Sequence, residues 1–362
     1  MNFDTDGYSH YDRRETLDVL LSSAPVAVHT KSLTEVLSWG AAQRAEFNRD
    51  RLDRLIHGIT LGTPQIDTLQ KLVSQAMLFR NSNGGRPGVL LSGSATMGKT
   101  TAAIQAMRFA HEQHEREHPE WRDLDHIPVV YIEVPPGSTG KGIMGRILEF
   151  LGVTFTARMT YEERKSIVVA HLARARTRLI VIDEMHNLSR LNNGNFESAQ
   201  AIKDLNDAVR ATPLYVGIDL DRSIITNGAL GNQFAGRSTS LNLRPCGYAS
   251  DEDRLQWRRV VGGFEDELGL LNHPKRALDK HEQYLWSRTR GSISALSRLL
   301  TIATCELILN DDPAAETITL KQLEHIQLDT ATERSFEELT ATEQAAARAA
   351  RKQAKAGAVH AA

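Results

Sequence analysis

Short apolar runs alternate with longer stretches of helical periodicity through the middle of the chain. The apolar runs have the length of buried strands, while the stretches between them repeat apolar residues at the spacing of amphipathic helices. This alternation predicts an α/β fold in which helices cover a five-stranded parallel sheet. The predicted strands, in chain order, are residues 89–91, 127–134, 179–184, 213–218 and 241–245.

Helical periodicity alone fills the regions on either side of the predicted sheet. Before it, residues 32–56 predict one long helix that begins with the capping-box pair Ser32 and Glu35, and residues 65–79 predict a second helix. Residues 331–362 are rich in Ala, Glu, Arg and Lys and lack an apolar stripe, so we predict a flexible tail. The helices predicted after the sheet span residues 251–267, 275–289, 293–309 and 319–328.

A glycine-rich segment follows the first predicted strand and leads directly into a predicted helix. Its spacing, G-x-x-x-x-G-K-T, is that of a phosphate-binding loop, in which backbone N–H groups and a helix N-terminus bind an anion. In such a loop Lys99 contacts the β- and γ-phosphates of ATP, and the Thr100 hydroxyl binds Mg²⁺. We therefore predict an ATP and Mg²⁺ site formed by Gly93, Ser94, Ala95, Thr96, Met97, Gly98, Lys99, Thr100 and Thr101.

Two acidic residues, Asp183 and Glu184, close the third predicted strand. Four apolar residues followed by Asp-Glu form the Walker B pattern when they lie downstream of a phosphate-binding loop. We predict that Asp183 holds the Mg²⁺ shell and that Glu184 polarises the water that attacks the γ-phosphate. The protein is then an ATPase whose catalytic residues include Lys99, Asp183 and Glu184.

These motifs divide the chain into four predicted regions. An N-terminal arm and helix occupy residues 1–58, and the nucleotide-binding α/β domain occupies residues 59–249. A helical lid domain follows over residues 250–330, and the flexible tail, residues 331–362, is predicted to bind a partner.

Composition and hydropathy limit this interpretation in three respects. The net charge of −2 excludes a polycation, so any binding to nucleic acid must depend on local positive charge or on several aligned subunits. The two cysteines, Cys246 and Cys305, lie far apart, which is typical of a reducing cytoplasm. No apolar run has the ~18 residues that span a bilayer, so we expect a cytoplasmic protein without a membrane partner.

The order of phosphate-binding loop, Walker B strand, fourth strand, loop arginine and helical lid resembles that of the AAA+ ATPases. The resemblance implies that ATP binds between neighbouring subunits and that an arginine from one subunit completes the site of the next. Arg237 occupies the matching position before the fifth strand, and Arg244 is the alternative. An arginine in that role contributes on the order of 10³–10⁵ in rate.

Two features depart from the AAA+ pattern. The polar sensor residue at the end of the fourth strand has no clear equivalent, and the nearest residues are Asp219 and Asn187. The lid usually begins G-x-x-R, whereas this chain has Gly291-Ser-Ile-Ser, with Arg290 before it and Arg298 one turn later. These departures indicate slow hydrolysis.

Several segments together resemble the TniB/TnsC transposition ATPases, whose activity is similar to that of the phage protein MuB. The most specific is Asp-Glu-Met-His-Asn-Leu at residues 183–188, supported by Pro-Val-Val-Tyr-Ile-Glu-Val-Pro-Pro at residues 128–136 and by the lid sequence at residues 290–300. The resemblance implies a homo-oligomer, either a ring or a helical filament, that assembles with ATP on duplex DNA. Its implied protein partners are a transposase and a target-selector protein.

The same resemblance implies DNA contacts from loops that face the ring axis, including the loop after the second strand. Those contacts would bind phosphates and would therefore position the DNA without reading its sequence. An ordinary polar loop is the alternative. The implied DNA-binding residues are Ser138, Thr139, Lys141, Arg146 and Arg158.

Other functions remain open at this point. A helicase loader would prefer single-stranded DNA, and a defence-associated AAA+ ATPase would carry long sensor or effector regions. A zinc site on one helix face is conceivable from His111, His114 and His118, although a solvated helix end before Pro119 explains the same pattern.

Overall fold

The computed structural model describes residues 11–24, 26–81, 87–188, 193–220 and 236–340. The chain forms two compact units. The first unit contains Met1–Pro25 and Gly62–Leu243, and the second contains Val26–Leu61 and Arg244–Ala362.

The first unit is built on a parallel sheet with the strand order β2-β3-β4-β1-β5. Each of the first four strands is buried on both faces, or nearly so, which is why they read as continuous apolar runs in the sequence. The predicted five-stranded parallel sheet is therefore confirmed. The strands are β1 Gly88–Ser92, β2 Val129–Glu133, β3 Leu179–Asp183, β4 Thr212–Gly217 and β5 Ser238–Asn242.

The last strand begins earlier than the sequence predicted. β5 starts at Ser238 and ends at Asn242, whereas the apolar pattern predicted a strand over 241–245. β5 lies at the edge of the sheet, and its side chains are half-buried or exposed, so it carries little apolar signal.

Helices make up most of the remaining described structure. The α-helices, in chain order, are α1 Arg14–Ser22, α2 Leu33–Leu37, α3 Ala41–Ile56, α4 Pro64–Leu78, α5 Lys99–Glu117, α6 Gly140–Phe150, α7 Tyr161–Arg174, α8 Asn193–Ala208, α9 Asp251–Glu267, α10 Glu282–Thr289, α11 Ile293–Leu309 and α12 Leu320–His325. Short 3₁₀ helices span Met185–Leu188, Ala277–His281 and Pro313–Ala315.

The N-terminal segment packs onto the first unit through α1. Leu17 and Leu21 of this helix are buried in the same core as the sheet. Arg14 forms an ion pair with Asp125, and Arg108 donates a hydrogen bond to the Leu20 carbonyl. The predicted N-terminal arm therefore contains a helix from residue 14 to residue 22.

The second unit joins α2 and α3 to the C-terminal helices. The predicted single helix over 32–56 is interrupted at Ser38–Gly40, where Gly40 has an extended backbone and begins α3. Arg51 of α3 binds the carboxylate of Glu316 through two hydrogen bonds of 2.7 and 2.8 Å, and both side chains are buried. These helices thus belong with the lid helices, a division that differs from the predicted region of residues 1–58.

The second unit also continues beyond the predicted end of the lid. Residues 330–340 are helical, and the Glu333 carboxylate accepts hydrogen bonds from Leu328 N–H and from Arg288. The Arg288 guanidinium also lies over the Phe336 ring, with 5.0 Å between the guanidinium carbon and the ring centroid. The beginning of the predicted tail is therefore folded, and residues 341–362 lie outside the described residues.

None of the described helices is by itself both long and apolar enough to cross a bilayer. The pair Ala277–Thr289 and Ile293–Leu309 meets the length and composition criteria only when taken together, and it is bent by 118°.

Candidate nucleotide site and basic loop surface

The predicted phosphate-binding loop connects β1 to α5, as the motif requires. Gly98 adopts a left-handed backbone with φ of 77° and directly precedes Lys99, the first residue of α5. A side chain is disfavoured in that conformation, which explains the glycine. The first turn of α5 leaves backbone N–H groups and the positive end of the helix dipole at the loop, so the segment is suited to bind phosphate.

Lys99 points its ammonium toward the loop and the neighbouring acids. Its Nζ donates a hydrogen bond of 2.8 Å to the Ser94 carbonyl. Burial lowers the pKa of Lys99, while the carboxylates of Asp183, Glu184 and Asp219 act in the opposite direction. A phosphate at the loop would offer this half-buried cation a stronger acceptor than a carbonyl oxygen.

The Asp183 carboxylate is fixed at the carboxyl end of β3. The side chain is buried, Oδ1 accepts a hydrogen bond of 2.7 Å from the Glu184 N–H, and Oδ2 lies 3.0 Å from the Tyr131 hydroxyl. Glu133 pairs with Asp183 in the register of β2 and β3. The end of the Walker B strand is therefore held by backbone and side-chain contacts together.

Glu184 adopts an uncommon backbone conformation at the start of the Met185–Leu188 turn. Its φ is 58°, a left-handed value that costs energy for a residue with a Cβ. Its Oε2 lies 3.2 Å from Nε2 of His186, and its carbonyl accepts a hydrogen bond of 2.9 Å from the Asn187 N–H. The turn thus presents a partly exposed carboxylate beside the buried Asp183.

The end of β4 closes against this turn and against β1. A Cβ on Gly217 would lie 2.8 Å from Leu220 Cδ2 and 3.1 Å from the His186 backbone nitrogen, so glycine permits the close approach. The Leu220 N–H donates a hydrogen bond of 3.0 Å to Ser92 Oγ at the end of β1. Of the two sensor alternatives, Asp219 is close enough to influence Lys99, whereas the Asn187 side chain donates to the Val134 carbonyl.

The donor set fits Mg²⁺ bound together with a nucleotide. Thr100 is exposed on the first turn of α5, and Asp183 supplies a carboxylate, so the two predicted ligands are hard oxygen donors. Among the described residues, no group of three or more His, Cys, Asp or Glu side chains could hold a metal ion. Phosphate oxygens and water would complete the coordination of such an ion, as they commonly do for Mg²⁺.

The histidines of α5 do not form the conceivable zinc site. His111 Nε2 lies 3.5 Å from the Asp18 carboxylate of α1, and His114 Nε2 lies 3.1 Å from Nδ1 of His126. Both histidines are buried, and burial lowers the pKa of His114 to about 3. They therefore pack α5 against α1 and the segment before β2.

The residues predicted to contact DNA lie along the segment after β2 and on α6. Ser138 donates from its hydroxyl to the Pro135 carbonyl at 2.6 Å, and Thr139 caps α6 by accepting from the Gly142 N–H at 3.1 Å. These two hydroxyls therefore shape the loop. Arg146, on the exposed side of α6, forms an i,i+3 ion pair with Glu149 at 3.4 Å.

A hydrogen bond from Lys141 holds the start of α6 next to the segment that carries Arg158. Lys141 Nζ donates to the Ala157 carbonyl at 2.8 Å, which places the start of α6 beside the loop that carries the exposed Arg158. The buried Arg164 supports both segments by donating to the carbonyls of Lys141 and Thr156 at 3.3 and 3.0 Å. We call Lys141, Arg146 and Arg158 the basic loop surface.

Sequence comparison decides the family of this molecule. A family model described as "Bacterial TniB protein" matches residues 51–245, more than half of the chain. The chain belongs to the TniB family. No curated protein matches this chain.

Two solved structures resemble the fold of the TniB-family chain. The Aeropyrum pernix ORC1 protein in complex with DNA is 18% identical, with a TM-score of 0.51 over 73% of this chain and 64% of that chain. The ADP form of the Aeropyrum pernix ORC2 protein is 15% identical, with a TM-score of 0.53 over 78% of this chain and 69% of that chain. This chain thus spans less than two thirds of the ORC1 chain, and at these identities the likeness concerns the fold alone.

Arg237 of this TniB-family chain lies at the amino-terminal ends of the strands, whereas the phosphate-binding loop lies at their carboxyl-terminal ends. It directly precedes β5, whose Ser238 pairs with Gly88 at the start of β1, while the loop follows the end of β1. Five residues of strand span about 16 Å, so Arg237 does not belong to the site of its own chain. Its guanidinium is 42% exposed and lies 2.8 Å from the Asp207 carboxylate.

The structure adds three residues to the site that were not predicted as site residues: Tyr131, Ser92 and His186. Tyr131 and Ser92 were not predicted as site residues because each lies inside a strand, where an aromatic or small polar side chain reads as packing. The available signal was the position of Ser92 as the last residue of β1, next to the phosphate-binding loop, and of Tyr131 within the segment 128–136 that carries part of the family resemblance. His186 belonged to the quoted Asp-Glu-x-His-Asn-Leu run, but only the structure shows its contact with Glu184.

Proposed function

We propose that this chain is an ATP-dependent transposition regulator that oligomerises on duplex target DNA and recruits and activates a transposase. One observation supports the proposal: in this TniB-family chain the carboxylates of Asp183 and Glu184, at the end of β3, are close enough to influence Lys99 of the phosphate-binding loop. Hydrolysis of ATP drives disassembly in this account.

The nucleotide step uses Lys99, Thr100, Asp183 and Glu184. These residues follow the carboxyl-terminal ends of β1 and β3, and we call this end of the sheet the carboxyl edge. Lys99 and the N-terminus of α5 would bind the phosphates, and Thr100 and Asp183 would hold a Mg²⁺ ion; such an ion, when bound, would neutralise charge on the transferred phosphoryl group. Glu184 accepts a proton from the attacking water. Because this carboxylate is partly exposed, a water molecule can reach it from solvent.

The oligomer completes the site in this proposal. Arg237 is exposed and lies away from the phosphate-binding loop of its own chain, so it is available to the nucleotide of a neighbouring subunit. ATP then acts as the ligand that joins two subunits, and loss of the γ-phosphate weakens the joint. This dependence links the state of the nucleotide to the length of the assembly.

DNA binding in this proposal depends on repetition of the basic loop surface. One subunit offers only Lys141, Arg146 and Arg158 there, and the whole chain carries a net charge of −2. A row of subunits along a duplex repeats these cations, and each phosphate contact releases counterions. Binding should therefore weaken steeply as the salt concentration rises.

A DNA-binding assay with two variants tests the proposal. Glu184→Gln removes the proton acceptor but keeps the nucleotide site, so with ATP it should form long-lived complexes with duplex DNA. Lys99→Ala should bind the nucleotide about 100-fold more weakly and should not form them. Equal DNA binding by the two variants would contradict an ATP-controlled assembly, and a preference for single-stranded competitor DNA would instead favour a helicase loader.

A further inference from the structure

Tyr131 occupies an unusual position for a strand residue near a nucleotide site. Its side chain is 1% exposed, yet its hydroxyl lies 3.0 Å from Asp183 Oδ2 and 3.2 Å from Glu133 Oε1. The register of β2 and β3 pairs Glu133 with Asp183, which brings both carboxylates to one end of the sheet. A single buried hydroxyl therefore lies between two acids.

This arrangement fixes both oxygens of the Asp183 carboxylate. Oδ1 accepts from the Glu184 N–H, and Oδ2 is the nearer of the two acceptors for the one proton of the phenol. The Tyr131 ring packs against the Tyr11 ring in a T-shaped arrangement, with 6.1 Å between the ring centroids.

We infer that Tyr131 is a positioning residue for Asp183, orienting its carboxylate toward the divalent cation that accompanies the nucleotide. The inference rests on the nucleotide site of the proposed function. Hydrogen bonds to a metal-binding carboxylate commonly affect metal affinity by about 10–100-fold, because they orient the ligand and hold its charge. Tyr131 touches neither substrate nor cation in this account.

The test measures cation binding without hydrolysis. The fluorescent nucleotide N-methylanthraniloyl-ADP is added to the full chain, and MgCl₂ is then titrated; Mn²⁺ binding to the same complex is followed by electron paramagnetic resonance. For Tyr131→Phe, we expect the Mg²⁺ and Mn²⁺ concentrations for half-saturation to rise about tenfold, while the affinity for nucleotide without metal stays within about twofold. An unchanged cation requirement would overturn the inference.

Matched variants separate this effect from a general change in the sheet. Tyr215→Phe makes the same change in a fully buried tyrosine of β4, at a position paired with Ile182, and should leave the cation requirement unchanged. Glu133→Gln should also leave it unchanged. A loss of cation affinity in Glu133→Gln with none in Tyr131→Phe would mean that Glu133 is the residue that matters.

A double variant keeps the test decisive if Tyr131→Phe lowers stability. In an Asp183→Asn background, Tyr131→Phe should change the cation requirement no further; an equal change in both backgrounds would show that the effect does not pass through Asp183. The titration contains no DNA, so its result is independent of assembly. Wild-type protein that binds Mg²⁺ and nucleotide but never assembles on DNA would contradict the proposed function and leave this inference intact.

Discussion

The carboxyl edge of the sheet and the basic loop surface differ in how their charged groups are held. At the carboxyl edge, Asp183 is buried and contacted on both oxygens, and Lys99 is half-buried beside three acids. On the basic loop surface, Arg146 is half-exposed and pairs with Glu149 on its own helix. The carboxyl edge is preorganised to bind one ligand of fixed shape, whereas the basic loop surface suits a ligand that is bound by electrostatic attraction alone.

This difference predicts which substitutions should have large effects on rate or affinity. A preorganised group at a nucleotide contributes through its exact position, so its loss removes a large part of the rate or affinity. An exposed cation near a phosphate contributes little by itself and is screened by salt. Such cations become important for DNA affinity only when they are repeated along an assembly.

The largest expected effect concerns Arg237. If it completes the site of a neighbouring subunit, Arg237→Ala should lower DNA-stimulated ATP hydrolysis by about 10³-fold while each chain still binds nucleotide. Arg210→Ala, which removes another exposed arginine close to the start of β4, serves as the matched control. Phosphate release measured at saturating ATP gives the readout.

Mixing variants sharpens the same prediction. Arg237→Ala supplies an intact phosphate-binding loop, and Lys99→Ala supplies an intact arginine. A mixture of the two should recover part of the hydrolysis rate that each lacks alone. No recovery in a mixture that still co-assembles would show that Arg237 does not act between subunits.

A smaller effect on DNA binding is expected from Arg164, which is buried and donates hydrogen bonds to the two segments that carry Lys141 and Arg158. Arg164→Met removes the donors to the Lys141 and Thr156 carbonyls, so we expect a loss of stability of about 1–3 kcal/mol and weaker DNA binding. Urea unfolding and DNA titration at constant salt measure the two effects. Lys165→Met, at a neighbouring and more exposed position of α7, should change both much less.

The basic loop surface itself should respond through salt dependence. The double variant Lys141→Ala with Arg158→Ala should reduce the slope of log affinity against log salt by up to about 2 per subunit, with nucleotide affinity unchanged. Arg146→Ala is expected to change that slope less, because its guanidinium already pairs with Glu149. A slope unaffected by all three changes would remove this surface from the DNA interface.

The smallest effect is expected from the end of the chain. Because Glu333 and Phe336 contact Arg288, a deletion of residues 341–362 preserves the fold of the second unit, whereas a deletion from residue 331 would expose a buried arginine. The shorter deletion should leave nucleotide and DNA binding intact and reduce transposase binding. Equal transposase binding with and without these residues would exclude them as the docking segment.

The carboxyl edge could be predicted from sequence because its chemistry is local. Gly98, Lys99 and Thr100 follow one another, and Asp183 and Glu184 end an apolar run, so the covalent order itself places these groups. Five parallel strands then bring the two motifs to one edge of the sheet. The family match supports the same interpretation.

The remaining features depend on contacts between distant parts of the chain. Arg51 and Glu316 are 265 residues apart in sequence, and no periodicity indicates that α3 packs with the lid helices. Tyr131 contacts Asp183 only through the register of two strands. β5 begins at polar residues of an edge strand, where the apolar pattern carries no information about the boundary.

Assembly of the subunits around DNA is measured by electron microscopy of the purified chain with duplex DNA, Mg²⁺ and a non-hydrolysable ATP analogue. We expect rings or helical filaments that enclose the duplex, with a nucleotide at each junction between subunits and Arg237 of one subunit beside it. Particles that remain monomeric when all three ligands are present would contradict this expectation.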